Sequence, residues 1–310
     1  QKEILDNQEN ASCDQGAKTR DFDLLTHQKI VRDYLNIYTP YRGLLLYHGL
    51  GSGKTCSSIA IAEAFNSLSS VALGEGITKG QQVVILVPAS LRTNYIEELK
   101  KCGDSMYRKN QFWEFIDTTG NADLEKTLSA VLSISVDFIR KNKGAWLVNI
   151  KKPSNFSDLN SSEKKSLDLQ LDEMIRHKYR FINYNGLRKA NLKTLTSDYT
   201  KNPFDNSAVI IDEAHNFVSR IVNKLSSEDS LSMKLYEYLM DAQNTKVVFL
   251  TGTPIINYPN EISVMFNILR GRIETWSFPL TINEQRKINL EYFKKLFKPI
   301  KKFLKLSETL

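Results

Sequence analysis

Apolar residues gather in four short runs along the chain, at residues 43–47, 83–87, 208–211 and 247–250, each ending in polar or turn-forming residues. Nearly continuous apolar character over so few residues suits strands buried on both faces of a parallel sheet, not the alternation of a strand with one wet face. A fifth strand is predicted over 179–183, stopped by the turn pair Asn185-Gly186. Helical spacing fills the intervals at 55–68 and 91–101. Strand and helix therefore alternate, which predicts an α/β domain with a mainly parallel sheet, helices on its faces and right-handed crossovers.

Upstream of the first strand, Leu24, Leu25, Gln28, Ile30, Val31, Tyr34 and Leu35 recur at helical spacing until Pro40, so a helix leads into the sheet. Residues 1–21 are polar and carry too little apolar surface to offset ordering, so a flexible arm is expected. The interval at about 104–178 breaks the rhythm. It holds Trp113, Phe115 and Trp146, a Ser/Asn-rich stretch at 153–162, and then Leu167, Leu171, Met174 and Ile175 at helical spacing. It reads as an insertion carried by a domain that spans 22–271. Beyond that domain, residues 272–310 hold nine Lys or Arg against four Glu, a net of +5. Tyr292, Phe293, Leu296, Phe297, Ile300, Phe303 and Leu304 recur there at helical spacing among lysines, with Pro299 placed to kink or divide the helix. Such a basic amphipathic tail suits nucleic acid or a membrane surface, but a linker packing its aromatic face on protein is the preferred reading.

Composition narrows the class only a little further. With 41% hydrophobic and 25% charged residues among 310, the chain has the balance of a globular protein able to bury a core. No apolar run approaches the roughly 18 residues of a membrane-spanning helix, so no membrane partner is expected. The net charge of +7 favours an anionic partner. Cys13, Cys56 and Cys102 are odd in number, far apart and without His at ligand intervals, so neither a disulfide scaffold nor a zinc site is expected. The chain opens on Gln1 with no leader-like segment, from which a reducing intracellular setting and a piece of a longer protein are expected.

Two stretches carry chemistry. The first is Leu44-Leu45-Leu46-Tyr47-His48-Gly49-Leu50-Gly51-Ser52-Gly53-Lys54-Thr55-Cys56, an apolar strand, a glycine-rich loop and the start of a helix. Glycines let successive backbone N–H groups close around a phosphate, and the helix N-terminus adds partial positive charge. Lys54 is placed for the β and γ phosphates and the Thr55 hydroxyl for Mg²⁺. The strict pattern wants Gly where this chain has His48, and Gly49, Gly51 and Gly53 keep the turn permissive. The second stretch is Ala208-Val209-Ile210-Ile211-Asp212-Glu213-Ala214-His215. A carboxylate at the C-terminal end of a buried parallel strand lies where such sheets bind ligands. Asp212 suits the metal, partly through water, and Glu213 suits activation of the attacking water.

Lys54-Thr55, Asp212-Glu213-Ala214-His215 and Leu250-Thr251-Gly252-Thr253-Pro254 resemble motifs I, II and III of superfamily 2 helicases and translocases. The resemblance covers about residues 24–271 and implies a P-loop RecA-like domain, ATP with Mg²⁺ as cofactors, and DNA or RNA as partner. The Thr-Gly-Thr-Pro form, followed by Asn257, Pro259, Glu261 and Ile262, resembles Snf-type remodelling ATPases and the helicase-like proteins of nucleocytoplasmic large DNA viruses. Phe181-Ile182-Asn183-Tyr184-Asn185-Gly186-Leu187 and Asn202-Pro203-Phe204-Asp205 resemble the same viral group, which includes a poxvirus phosphohydrolase and an early-transcription-factor subunit. By resemblance Gln28, 26 residues before Lys54, reads the adenine edge. Pro88, Ala89, Ser90 and Arg92 resemble motif Ia, a nucleic-acid contact. Tyr184, Asn185 and Arg188 resemble motif Ib, a plain turn being the equal alternative. His215, Thr251, Gly252 and Thr253 are expected to couple nucleotide state to domain movement.

The family places its arginine fingers on a second RecA-like domain, and no series of strands and helices that would build one follows Pro254. This chain is therefore expected to bind nucleotide, to hydrolyse it poorly alone, and to work with a second domain of the same protein. A viral source would place it in host cytoplasm or virion, with the transcription machinery as a further partner. The rivals are a duplex translocase that separates no strands, and a nucleic-acid-binding module with a vestigial P-loop.

Overall fold

The computed structural model describes residues 24–36, 38–49, 51–72, 82–227 and 230–273, with 289, 291, 292 and 295. The expected arm at 1–21, Cys13, Leu50 and most of the basic tail lie outside these. The chain divides into two units, residues 1–272 and 273–310. In the second, the Tyr292 N–H donates to the backbone and side-chain oxygens of Asn289, both at 3.1 Å.

The first unit is built on five parallel strands: β1 (Gly43–Tyr47), β2 (Gln82–Val87), β5 (Tyr179–Asn183), β6 (Ser207–Ile211) and β7 (Lys246–Thr251). Their order across the sheet is β1-β7-β6-β2-β5. Side chains alternate between faces, and the inner strands β7, β6 and β2 are buried on both, which is why they read as nearly unbroken apolar runs, while the edge strands β1 and β5 are only partly buried. Val83, Ile85 and Val87 join one core with Ile210, Val248 and Leu250, and Val84 and Leu86 join the other with Val209, Ile211 and Phe249. The first core takes residues from α2 (Lys54–Ala72), α3 (Arg92–Cys102) and α6 (Ser161–Lys178). The second takes them from α7 (Lys189–Leu195), α8 (Ala214–Val222), α9 (Leu231–Asp241) and α10 (Asn260–Arg270). This is the α/β architecture that the hydrophobic pattern predicts, and it is RecA-like. The predicted leading helix is present as α1 (Thr26–Tyr34). It starts just after Leu25 because the side-chain oxygen of Gln28 turns back to accept the Leu25 N–H at 3.0 Å, which satisfies a donor that the helix itself cannot.

Between α3 and α6 lie β3 (Trp113–Asp117), α4 (Ala122–Leu132), α5 (Val136–Asn142) and β4 (Gly144–Val148), with β3 and β4 forming an antiparallel pair apart from the main sheet. Strand β3 is not apparent in the apolar pattern, since it buries Trp113 and leaves Glu114 and Phe115 partly exposed, whereas β4 is an apolar run, Gly-Ala-Trp-Leu-Val, that pairs only with β3. Side chains tie this region to the rest. Gln170 of α6 is buried and bonds both the N–H and the C=O of Trp146 at 2.8 Å, and Lys100 of α3, also buried, reaches Asp168 of α6 at 2.6 Å.

Candidate nucleotide site

In a parallel sheet all strand C-termini lie on one edge. The expected chemistry is strung along that edge in sheet order: the glycine loop after β1, Thr251 at the end of β7, Asp212 after β6, Pro88 after β2 and Tyr184 after β5.

The loop after β1 turns on Gly51 and Gly53, whose φ values of +77° and +76° exclude most other residues. A Cβ on Gly53 would also meet the Gln28 side chain at 2.6 Å, whereas at Gly49 and Gly51 it would meet nothing within 4 Å. The cradle is therefore open on one side and backed by α1 on the other. Ser52 Oγ donates to Gly49 O at 2.8 Å, and Lys54 Nζ donates to His48 O at 2.8 Å and Gly49 O at 3.1 Å. The lysine thus lies across the loop mouth. The bond from Ser57 N–H to Gly53 O begins the ladder of α2, so the N–H groups of Lys54, Thr55 and Cys56 are its first-turn donors, with no acidic side chain among them.

Gln28 is buried and donates from Nε2 to Gly53 O at 3.4 Å, while its Oε1 holds the Leu25 N–H. Each end of the amide keeps one hydrogen-bonding position in reserve. His27 lies beside it, its Nε2 3.3 Å from Ser52 O and its ring edge-on to His48 at 5.9 Å. Burial, and then the neighbouring His27 and Lys54, lower the His48 pKa, and its buried Nδ1 has no partner among the described residues.

At the end of β6, Asp212 stays in the ladder through its N–H to Leu86 O at 2.9 Å, and its Oδ1 accepts the Glu213 N–H at 3.0 Å. Glu213 caps α8 in the left-handed region, φ 47° and ψ 51°, an uncommon conformation for a residue with a side chain. Burial, reinforced by the adjacent Glu213 charge, pushes the Asp212 pKa up to about 6. His215 Nδ1 lies 2.9 Å from Thr251 Oγ1, 3.3 Å from Thr253 Oγ1 and 3.4 Å from a Glu213 carboxylate oxygen, which links β7 to the turn after β6. A Cβ on Gly252 would lie 3.7 Å from Lys54 Nζ, so β7 also borders the glycine loop. Glu261, fully buried, accepts the Ile256 N–H at 2.8 Å and the Asn257 N–H at 3.2 Å and so closes the loop after Pro254.

The family described as "Type III restriction enzyme, res subunit" matches residues 3–256. The chain belongs to this helicase family. It is 31% identical over 247 residues to "Putative ATP-dependent RNA helicase R563" of Acanthamoeba polyphaga mimivirus, a match covering 78% of this chain and 32% of that protein. It is 26% identical over 273 residues to "Putative helicase 087L" of Invertebrate iridescent virus 3, covering 86% and 22%. Similarity extends to "Termination factor NPH-I homolog" of African swine fever virus, 23% identical over 232 residues, covering 75% and 23%. The chain spans about a third or less of the length of these relatives. Among its described residues no helix is long and apolar enough to cross a membrane.

On the far half of the edge of this helicase-family domain, a short 3₁₀ turn (Ala89–Leu91) leaves Ala89 and Ser90 exposed, and Asn185 and Arg188 are exposed after β5. Of the other residues expected at nucleic acid, Pro88 is buried, and Tyr184 is buried with its hydroxyl against the Asp212 and Glu213 carbonyls. Arg92 rests its guanidinium 5.3 Å above the Phe181 ring and, with Arg180, Asn183 and Asn191, lines a groove of about 480 Å³ between β5 and α7 that has no acidic lining residue. Arg180 escapes sequence reasoning, although a lone cation inside an otherwise apolar strand was its signal.

The cysteines also depart from expectation. Cys56 and Cys102 form a disulfide, with Cα atoms 5.7 Å apart. Their separation of 46 residues conceals that the start of α2 and the end of α3 lie side by side. The Cys56 side chain is committed to this bond, and its backbone N–H stays at the loop, where Cys56 is expected to meet the nucleotide.

Proposed function

We propose that this chain is the ATP-binding motor domain of a nucleic-acid-dependent ATPase. The observation that carries the reading is the meeting, on one sheet edge, of a glycine loop with helix donors, a lysine and an acidic pair whose first member is held above its normal pKa by burial beside the second.

The donor set fits a triphosphate with Mg²⁺. Space lies open at Gly49 and Gly51, Lys54 donates to the loop carbonyls of His48 and Gly49, and the raised pKa of Asp212 is what a divalent cation relieves. Bound Mg²⁺ would neutralise phosphate charge there, held by the Thr55 hydroxyl and Asp212. Lys54 turns from the loop carbonyls to the phosphates, alongside the N–H groups of Gly51, Ser52, Gly53, Lys54, Thr55 and Cys56. Gln28 offers its spare N–H and lone pair to adenine while still holding the loop. Glu213 takes the proton of the attacking water. His215, Thr251, Gly252 and Thr253 pass the state of the phosphates to the loop beyond Pro254. Ala89, Ser90, Arg92, Asn185 and Arg188 receive the phosphates of a DNA or RNA strand, and a second RecA-like domain of the same protein completes the site with arginines.

Glu213→Gln tests the assignment. It should bind Mg²⁺·ATP within about twofold of the parent while single-turnover hydrolysis falls by about 10²-fold or more. Unchanged hydrolysis removes Glu213 as the base. Absence of any Mg²⁺-dependent nucleotide binding by the parent chain restores the vestigial P-loop. Similarity to a termination-factor homolog, together with the Thr251-Gly252-Thr253-Pro254 form, favours translocation on duplex DNA alongside transcription as the second reading. Triplex displacement without strand separation by the full-length protein would single it out.

A further inference from the structure

We propose that Tyr184 is a positioning residue that couples nucleic-acid contact at the turn after β5 to the aim of Asp212 and Glu213. The coupling rests on the function proposed above; the positioning does not.

Strands β5 and β6 do not touch, because β2 lies between them. Tyr184 spans that gap. It is the first residue after β5, is 5% exposed, and its hydroxyl donates to two successive carbonyls, Asp212 O at 3.1 Å and Glu213 O at 3.2 Å. Two consecutive carbonyls converge on one donor because Glu213 is in the left-handed region, which curls the chain back before α8. A hydroxyl at that point favours this conformation over extended ones, in which the two carbonyls diverge. The ring is fixed as well, edge-on to Phe217 of α8 with centroids 5.4 Å apart.

On its other side Tyr184 is bonded directly to the exposed turn. Asn185 and Arg188 are exposed, and the Gly186 N–H closes the turn onto Asn183 O at 3.3 Å. A strand pressing on this turn moves the Tyr184 backbone, and the hydroxyl carries that movement to the two carbonyls on which the Glu213 side chain depends. The link acts on turnover and leaves affinity for nucleic acid or nucleotide alone.

Tyr184→Phe keeps the ring and removes one oxygen. In the full-length protein we expect nucleic-acid-stimulated kcat to fall at least about tenfold, with KM for ATP and the Kd for single-stranded DNA within about twofold. Arg188→Ala should lose stimulation too, and the double variant should be no worse than the poorer single one, since both lie on one route. Hydrogen exchange at the amides of residues 213–216, measured without nucleotide, should accelerate in Tyr184→Phe. Multiplying losses in the double variant, or normal stimulation in Tyr184→Phe, would overturn the coupling. Unchanged exchange would overturn the positioning. A protein with no ATPase activity at all would refute the proposed function, while the exchange data would still decide the placement of the turn by Tyr184.

Discussion

Asp212 shows how strongly burial beside a like charge can mark a single side chain. Its pKa is pushed up to about 6 by burial and by the charge of Glu213, so folding favours the protonated form. The stabilisation this brings is fully present below the unfolded carboxyl value near 4 and is lost as pH rises through about 6. At pH 8 the ionised carboxylate costs the nucleotide-free protein up to about 3 kcal/mol. Asp212→Asn should therefore raise the thermal midpoint at pH 8 and change it little at pH 4, while weakening Mg²⁺·ATP binding. Equal midpoints at pH 8 would mean that the carboxylate is already relieved. Asp212 and Glu213 are legible in sequence because their types and their place after an apolar strand suffice. Gln28 and Tyr184 are only half legible: each has its side chain committed to a backbone group far along the chain, which no local spacing announces.

The elements divide in the same way. Strands buried on both faces declare themselves by composition, and all five members of the main sheet lie within one residue of the predicted ranges at each end. Strand β3 does not, because its buried and exposed residues alternate, and β4, though apolar, pairs only with β3 outside the main sheet. The junction of α2 and α3 is hidden for another reason, since it depends on how two helices that flank β2 pack. The Cys56–Cys102 disulfide closes a separation of 46 residues, which in the chain-entropy view is worth about 4 kcal/mol. Reduction, or Cys102→Ser, should lower the unfolding free energy by about 2–4 kcal/mol in denaturant titrations. Identical midpoints with and without dithiothreitol would show that the bond adds nothing. Thr55 directly precedes Cys56, so nucleotide affinity measured across the same titration will tell whether the bond also braces the phosphate loop.

At the scale of the molecule, sheet order sorts the chemistry. The β1, β7 and β6 ends carry the glycine loop, Thr251 and Asp212, and the β2 and β5 ends carry the groups proposed for nucleic acid. Ile255, Ile256 and Tyr258, just past Thr253, are 45%, 49% and 53% exposed, an apolar rim of the kind that another domain covers. Residues 1–310 should accordingly bind Mg²⁺·ATP but turn it over slowly, and the full-length protein should be faster by about 10³-fold or more once arginines reach the phosphates. Comparable rates for the two would place every catalytic group within this chain.

Sequence alone was enough for the class of fold, the glycine loop, the acidic pair and the helicase resemblance. The glycine loop and the acidic pair each depend on residue types over about a dozen consecutive positions, and the fold class and the resemblance on the order in which such local stretches recur along the chain. Tertiary structure decided what shares an edge: that β7 lies between β1 and β6, that Cys56 meets Cys102, and that Tyr184 leaves the surface to hold the Asp212 and Glu213 carbonyls. Those juxtapositions arise from the order in which strands pair and from helices covering them, quantities set by burial over the whole domain and not by any local stretch of chain.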